Sequence, residues 1–260
     1  MLSQLNKSHQ WQQLGLASSG LGVALVLWWW LTSAATQNTI IYQFSPQASG
    51  AALINLVQDS TLWQHIAVSL KRILVGLSIA LSLGLPLGIL IGASRKIEVA
   101  TTSLFQFLRM ISPLSLMPLA VMTLGIGDAP VYFLLSFAAI WPIILNVAAG
   151  VRQLNPEWLL LAQSLSASRW EMLVHIMLPG ITQPILTGVR LAIGVLWIIL
   201  VPCEMLGVSA GLGYFILDTR DRLAYAELMA AILIIGFLGL VLDSTARAMQ
   251  NRWTKQYHER

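Results

Sequence analysis

The chain has 260 residues, of which 57% are hydrophobic and only 10% charged. A soluble domain carries about 25% charged residues, and a disordered chain is poor in apolar residues, so both classes are excluded. One cysteine, Cys203, excludes an internal disulfide framework and a multi-cysteine metal site, and no metal ligand set is expected. The excess of 15 Lys and Arg over 11 Asp and Glu is too small to point to nucleic acid and reads better as membrane topology.

A bilayer-spanning helix needs about 20 mostly apolar residues, so the gaps between charges predict the elements. The first block, Leu14 to Ala35, follows Lys7 and ends near Trp28, Trp29 and Trp30, which read as an interfacial aromatic belt. It is longer than the ~7–15 residues of a signal-peptide core and is expected to be a retained span. The second block, Ile73 to Ser94, is free of charge between Arg72 and Arg95. The third runs from about Thr101 to Leu124 and contains Arg109. The fourth, Ala129 to Val151, lies uncharged between Asp128 and Arg152. The fifth, about Gly180 to Leu206, contains Arg190 and, near its end, Glu204. The sixth, about Tyr225 to Met249, carries Asp243 and Arg247 near its end. The expected fold class is therefore all-α: a polytopic membrane protein of six transmembrane helices.

With six spans both termini share a side. That side holds nine of the Lys and Arg residues, from Lys7, Arg95, Lys96, Arg152 and Arg169 to the C-terminal cluster, whereas the other holds four: Lys71, Arg72, Arg220 and Arg222. The positive-inside rule then predicts cytoplasmic termini, with Gln37–Leu70 and Gly207–Ala224 facing the periplasm. In the second span Gly76, Ala80, Gly84, Gly88 and Gly92 recur every four residues, a stripe that lets another helix approach closely. Pro86, Pro113, Pro118, Pro142 and Pro202 fall inside spans and predict irregular helices around a path rather than a simple bundle.

The longest segment on the expected cytoplasmic side runs from Gln153 to Pro179. Asn155-Pro156-Glu157 predicts a helix start, Ser166-Ala167-Ser168 a break, and Arg169-Trp170-Glu171-Met172-Leu173 a second short helix that reaches Leu178-Pro179. Such an element is a docking knob for another protein or an interfacial helix lying on lipid headgroups.

On these residues the chain resembles the permease subunits of bacterial ABC importers. Ala162, Ser166-Ala167-Ser168-Arg169-Trp170, Ile176, Leu178-Pro179, Pro184, Thr187-Gly188 and Arg190 are similar to that family's coupling-loop signature: an acid and two alanines, a glycine four residues on, then an isoleucine and Leu-Pro. Arg109 through Pro113, Gly125-Ile126-Gly127-Asp128, Trp141-Pro142-Ile143 with Asn146, Glu204-Met205-Leu206-Gly207, Gly211-Leu212-Gly213-Tyr214 and Leu217-Asp218 narrow it to the nitrate/sulfonate/taurine branch. The resemblance covers about Leu62 to Arg247. The pattern departs at Leu160 and Leu161, where the acid and first alanine often stand, and at Ser166, where glycine is usual; Glu157 is a partial substitute for the acid.

The resemblance implies a type I ABC importer permease. It implies a pair of such subunits, a homodimer, with two cytoplasmic ATPase subunits, a periplasmic solute-binding protein and surrounding membrane lipid as partners. The location is the bacterial inner membrane. ATP and Mg belong to the ATPase subunits; this chain has no Walker-type motif and is expected to bind no cofactor and to catalyse nothing. The coupling residues carried over are Leu160, Leu161, Ala162, Ser166, Ala167, Ser168, Arg169, Trp170, Glu171, Leu178 and Pro179. The implied organisation is a tail, first helix and periplasmic segment over 1–61, a core over 62–250 with its coupling loop at about 153–179, and a cytoplasmic tail over 251–260. The implied solutes are nitrate, nitrite, bicarbonate, cyanate, and taurine or other sulfonates.

Pathway candidates are Arg109, Asn146, Arg190, Glu204 and Ser209. Arg109 and Arg190 are the mid-depth charges, and each has two readings: attraction of an anion, or a structural role in capping carbonyls or pairing with an acid. Two rival classes exist. One is a secondary transporter or channel that works without ATP, although no internal repeat is found. The other is an intramembrane serine protease, since Gly207-Val208-Ser209-Ala210-Gly211 matches the nucleophile-elbow pattern, but with an apolar helix before it where the elbow needs a strand.

Overall fold

The computed structural model describes residues 19–20, 22–33 and 40–258, and it contains helices joined by turns, with no strand among the described residues. In chain order the helices are α1 (Gly22–Ser33), α2 (Ile40–Gln43), α3 (Pro46–Gln58), α4 (Ser60–Ala93), α5 (Arg95–Met110), α6 (Met117–Leu124), α7 (Asp128–Arg152), α8 (Pro156–Ser164), α9 (Arg169–Met172), α10 (Leu178–Gly180), α11 (Thr182–Glu204), α12 (Leu212–Asp221) and α13 (Tyr225–His258). A 3₁₀ turn, Pro113–Leu116, precedes α6, and a π-helical turn, Leu173–Met177, joins α9 to α10. Helices α4, α7, α11 and α13 are each long and apolar enough to cross a membrane, and α5 with the 3₁₀ turn and α6 forms a bent fifth. Of the first expected span, only α1 lies among the described residues, together with residues 19–20.

The chain forms two compact units. One holds the described residues up to Leu62 with Ile216–Ile234. Within it the Trp28 indole donates to the Phe44 carbonyl at 2.8 Å, and the Phe44 ring lies 5.4 Å from that of Tyr225. Ser45 caps α3 by accepting from the Ala48 amide, with Pro46 at the first helical position, where a missing N–H costs nothing.

The other unit, Trp63–Phe215 with the chain from Ile235 onward, contains the main core. Leu134, Leu135, Ile143 and Val147 of α7 and Leu196 and Leu200 of α11 are among its fully buried members. The small-residue stripe of α4 faces α7, as expected. A Cβ on Gly88 would stand 2.7 Å from Val147 Cβ, and one on Gly92 would stand 2.7 Å from the Ala148 carbonyl oxygen. Those glycines set backbone-to-backbone contact, which is how helices associate where lipid removes the hydrophobic drive. Large side chains turned away from this core, such as Leu83, Leu90, Ile198 and Phe237, are exposed and form apolar outer faces.

Three expected elements are corrected. The second span does not begin at Ile73: α4 starts at Ser60 and carries Lys71 and Arg72 within it, because Arg72 is buried among acids and does not have to reach water. The third span is not one helix from Thr101 to Leu124. It bends by 82° between α5 and the 3₁₀ turn, and Arg109 sits in the last turn before the bend. Pro113 accounts for the bend: it has no N–H to continue the helix and drives the preceding Ser112 into extended backbone, with ψ of 125°. Third, the helix of the sixth block does not end at Met249: α13 continues to His258.

Candidate functional site

Segment 153–180 is built by strong local signals. Asn155 caps α8 by accepting from the Glu157 amide at 2.9 Å, with Pro156 at the first position. The helix ends in a Schellman motif: the Ala167 amide donates to the Ala162 carbonyl and the Ser166 amide to that of Gln163, both at 3.0 Å. Ser166 is the left-handed residue this motif requires, with φ of +56°. The glycine of the family pattern would sit there without strain, whereas an L-residue in that region costs about 1–2 kcal/mol. Replacing Ser166 with Gly should therefore stabilise the segment by about 0.5–1 kcal/mol, after the added freedom of the unfolded chain is subtracted. Amide exchange across residues 162–172 would read this as slower opening, and faster opening would contradict it.

Ser168 then begins α9 with a capping box. Its hydroxyl accepts from the Glu171 amide at 3.2 Å, and the Glu171 carboxylate accepts from the Ser168 amide at 2.7 Å. These backbone and side-chain bonds to Ser168 hold the Glu171 carboxyl below the usual carboxylate range. The box contributes fully above the ordinary carboxylate value and is lost as pH falls through the lowered one. Beyond α9 the helix widens into the π-helical turn just before Pro179, whose missing N–H and bulky ring cannot be fitted to a regular α-turn. The chain bends again at Ile181 and enters α11.

The outcome is a hook with an apolar rim. Trp158, Leu160, Leu161, Leu165 and Trp170 are all more than half exposed, while Ala162 is buried. Gly180 receives the Leu154 side chain, so the two ends of the hook meet. Beside it lies a cavity of about 510 Å³ lined by Trp158, Leu165, His175, Ile176 and Trp253 among others. Trp253, from the far end of α13, was not singled out from the sequence, where a lone aromatic near a helix end reads as an interface residue.

At the other ends of α4 and α11 lies a buried polar cluster that charge patterning missed. Glu204 has no exposed surface and Arg72 only 3%. Arg72 Nη1 donates to Glu204 Oε1 at 2.8 Å and to the Ala210 carbonyl at 2.6 Å, and its Nε and Nη2 donate to Asp128 Oδ1 at 3.0 and 2.6 Å. Glu204 also accepts from Ser69 Oγ at 2.8 Å and from the Gly213 amide at 2.9 Å. Ser69 Oγ in turn accepts from the Leu212 amide, and His65 Nδ1 from the Gly211 amide. Four places in the chain are tied together: one face of α4, the start of α7, the end of α11 and the turn into α12. Gly211 has φ of +118°, and a Cβ there would collide with the Glu204 carboxylate and the Arg72 guanidinium. The spacing Glu204…Gly211-Leu212-Gly213, noticed in the sequence only as a family run, is the local signal of this cluster.

Of the pathway candidates, Glu204 is thus packed inside the unit rather than on an open wall, because each carboxylate oxygen already has protein donors. Arg190 donates from Nε to Asp243 at 3.3 Å, and Asp243 is shared with Arg247; the geometry is that of the structural reading. Asn146 donates to the Pro142 carbonyl one turn earlier, and Gly188 packs on its Cβ. Ser209 is exposed on a turn that follows helix α11, with no strand before it, so the nucleophile-elbow geometry is absent. Arg109 lines a smaller cavity between α5 and α7. These residues are not gathered at one place.

Close-packed helices long and apolar enough to cross a membrane, together with buried ion pairs and a capped hook, define a polytopic membrane protein. The chain belongs to the family of binding-protein-dependent transport system inner membrane components, whose pattern matches residues 84–255. The taurine transport system permease protein TauC of Escherichia coli is 33% identical over 255 residues, covering 95% of this chain and 92% of that one. The bicarbonate transport system permease protein CmpB of Synechococcus elongatus is 34% identical, covering 85% and 77%. The nitrate import permease protein NrtB of Synechocystis is 33% identical, covering 86% and 83%. Among solved structures the fold is similar to a chain of the inward-facing MetNI methionine ABC transporter, with a TM-score of 0.62 at 13% identity over 74% of this chain and 96% of that one. It is also similar to a chain of a bacterial alginate ABC transporter, with a TM-score of 0.58 at 18% identity over 94% and 99%. The protein is a multi-pass inner-membrane permease subunit of an ABC importer and not an enzyme; the ATPase of such a transporter resides in other subunits.

Proposed function

We propose that this chain, paired with a second copy of itself, forms the membrane pathway for a small anion delivered by a periplasmic binding protein. The proposed solutes are nitrate, nitrite, bicarbonate, cyanate, and taurine or another sulfonate. The support is that relatives at 32–34% identity carry names for taurine, bicarbonate, nitrate and aliphatic sulfonates. Three of those four names denote anions outright, and taurine carries an anionic sulfonate.

In this reading two cytoplasmic ATPase subunits bind ATP and Mg and receive the hook at 153–180. Leu160, Leu161, Ala162, Ser166 to Glu171, Leu178 and Pro179 form the docking element. Both termini are cytoplasmic, which matches the bias of nine basic residues to four. The first 61 residues supply the N-terminal tail, the first transmembrane helix and a periplasmic segment, and the permease core extends from 62 to 250. Nucleotide binding and hydrolysis bias a two-state arrangement of the paired subunits.

The test is uptake into proteoliposomes that contain the full transporter with its ATPase subunits and binding protein. Labelled nitrate, bicarbonate and taurine are offered with ATP and with a non-hydrolysable analogue. One of the three should accumulate with ATP alone. Accumulation of a cation or a neutral heterocycle, or uptake indifferent to ATP, would refute the proposal.

A further inference from the structure

The cavity between α5 and α7 has a volume of about 190 Å³ and is lined by Thr102, Gln106, Arg109, Trp141, Leu145 and Arg152 among others. We infer that it is a binding site for a monovalent oxyanion, with Arg109 as the charge that recognises it. The inference rests on the anion reading above and gives it a location.

Residues 98, 102, 106 and 109 recur at helical spacing, so they share one face of α5 and turn together toward α7. The Arg109 guanidinium has no hydrogen bond and no ion pair among the described residues, and neither does the Gln106 amide. Arg109 and Gln106 are exposed on the face of α5 that lines the cavity, so their donors are open to an anion that enters it. The other charges on the cavity are already matched to each other. Glu98 accepts from Arg95 at 2.7 Å and pairs with Arg152 at 3.2 Å. One carboxylate against two guanidinium groups leaves that end positive, and Arg109 adds a further unopposed charge.

The rest of the wall is apolar. Phe105 packs edge-on to Trp141 with ring centres 5.7 Å apart, and Phe137 packs edge-on to Trp141 at 5.5 Å. A low-dielectric wall strengthens the attraction of an anion to the guanidinium. The planar fork of Arg matches two oxygens of a carboxylate-like or sulfonate group, and the Gln106 amide supplies a neutral donor one turn away. Size sets the class. The space is many times the ~10–15 Å³ that one water occupies, yet below the ~300–1,000 Å³ of pockets for drug-sized ligands. The single unopposed guanidinium of Arg109 matches one negative charge. The ligand is thus a small group with one negative charge, either a free solute ion or the phosphate of an anionic lipid.

The test uses the whole transporter in nanodiscs. Amide exchange is followed over residues 95–116 in the wild type, in Arg109→Gln and in Arg109→Lys. One arm uses pure phosphatidylcholine with added nitrate, bicarbonate or taurine; the other replaces part of the lipid with phosphatidylglycerol and adds no solute. Protection should appear in the wild type, weaken about tenfold in apparent affinity in Arg109→Gln, and be partly kept in Arg109→Lys, which retains the charge but loses the fork. Protection by a solute ion identifies the ligand as solute, and protection by phosphatidylglycerol alone identifies it as lipid. Either supports the site if it depends on Arg109. Exchange that no anion changes, or protection that is equal in Arg109→Gln, overturns it. Arg109 makes no contact the fold needs, so folding is preserved in the variants. Uptake measured in parallel separates the two readings: Arg109-dependent protection without anion import would defeat the proposed function and leave the site standing.

Discussion

Replacing Trp170 with Asp should leave the permease folded and inserted while ATP-driven uptake falls about 30-fold. Trp170 is 71% exposed and is held at the second position of α9 by the Ser168–Glu171 capping box, so nothing in the fold depends on its ring. Truncating a tryptophan anchor at an interface costs about 2 kcal/mol or more, and each 1.4 kcal/mol is a factor of ten. An aspartate adds a charge that docking would have to desolvate. In the first turn of α9 the same charge is favourable to the helix itself, so a loss of function cannot be assigned to an unwound hook. Trp170→Phe keeps an aromatic anchor and should retain most of the uptake. The measurement is uptake together with ATP hydrolysis by the assembled transporter. Uptake at the wild-type rate in Trp170→Asp would remove the hook from the coupling interface.

The second large effect is on stability. Arg72→Leu should destabilise the permease by about 3–5 kcal/mol, the cost of leaving a buried carboxylate without its counter-charge. Glu204 would keep Ser69 and the Gly213 amide as donors but lose the guanidinium, while Asp128, 42% exposed, would turn to water. Glu204→Gln should cost less, because Arg72 keeps Asp128 and the amide oxygen still accepts from the guanidinium, although the amide nitrogen then faces the Gly213 N–H, another donor. Combining Arg72→Leu with Glu204→Leu should recover part of the loss, with a coupling energy of about 0.5–3 kcal/mol. Unfolding in one detergent at fixed lipid content is the measurement. A cost for Arg72→Leu within the ~0.5 kcal/mol of an ordinary surface change would mean that the cluster is not a lock.

Both variants probe features that were legible in the sequence to different degrees. Helix α7 was read almost to the residue because its ends coincide with Asp128 and Arg152 and nothing between them is charged. The hook was legible too, since caps and breaks are written in short-range residue types: Asn-Pro-Glu at 155–157, then Ser at 166 and 168. Hydropathy failed at Arg72. The rule for membrane rims assumes that a charge seeks water, whereas this one finds Glu204 and Asp128, residues 132 and 56 positions away in the chain. Such partners are invisible to any local window. The bend after Met110 was hidden for a related reason. Pro113 announced an irregularity, but whether a proline kinks a span or folds it through 82° depends on what packs on either side. A mid-depth position for Arg109 assumes a straight third span, whereas the bend leaves it on the wall of a cavity.

The stripe of small residues on α4 has a mechanical consequence. From Gly76 to Gly92 the two backbones mesh over sixteen positions, about 24 Å at 1.5 Å per residue. Each notch accepts one particular neighbour: Leu135, then Ile143, Val147 and Val151. A shift along the axis would carry those side chains off their glycines and against bulkier neighbours such as Leu77, Leu85 and Ile89. The pair therefore has no low-energy sliding motion and behaves as a single stiff rod with no play between its halves. A displacement that reaches α4 is then shared by α7, whereas the helices of this unit are interrupted at Ile111–Ser112 and Ile181.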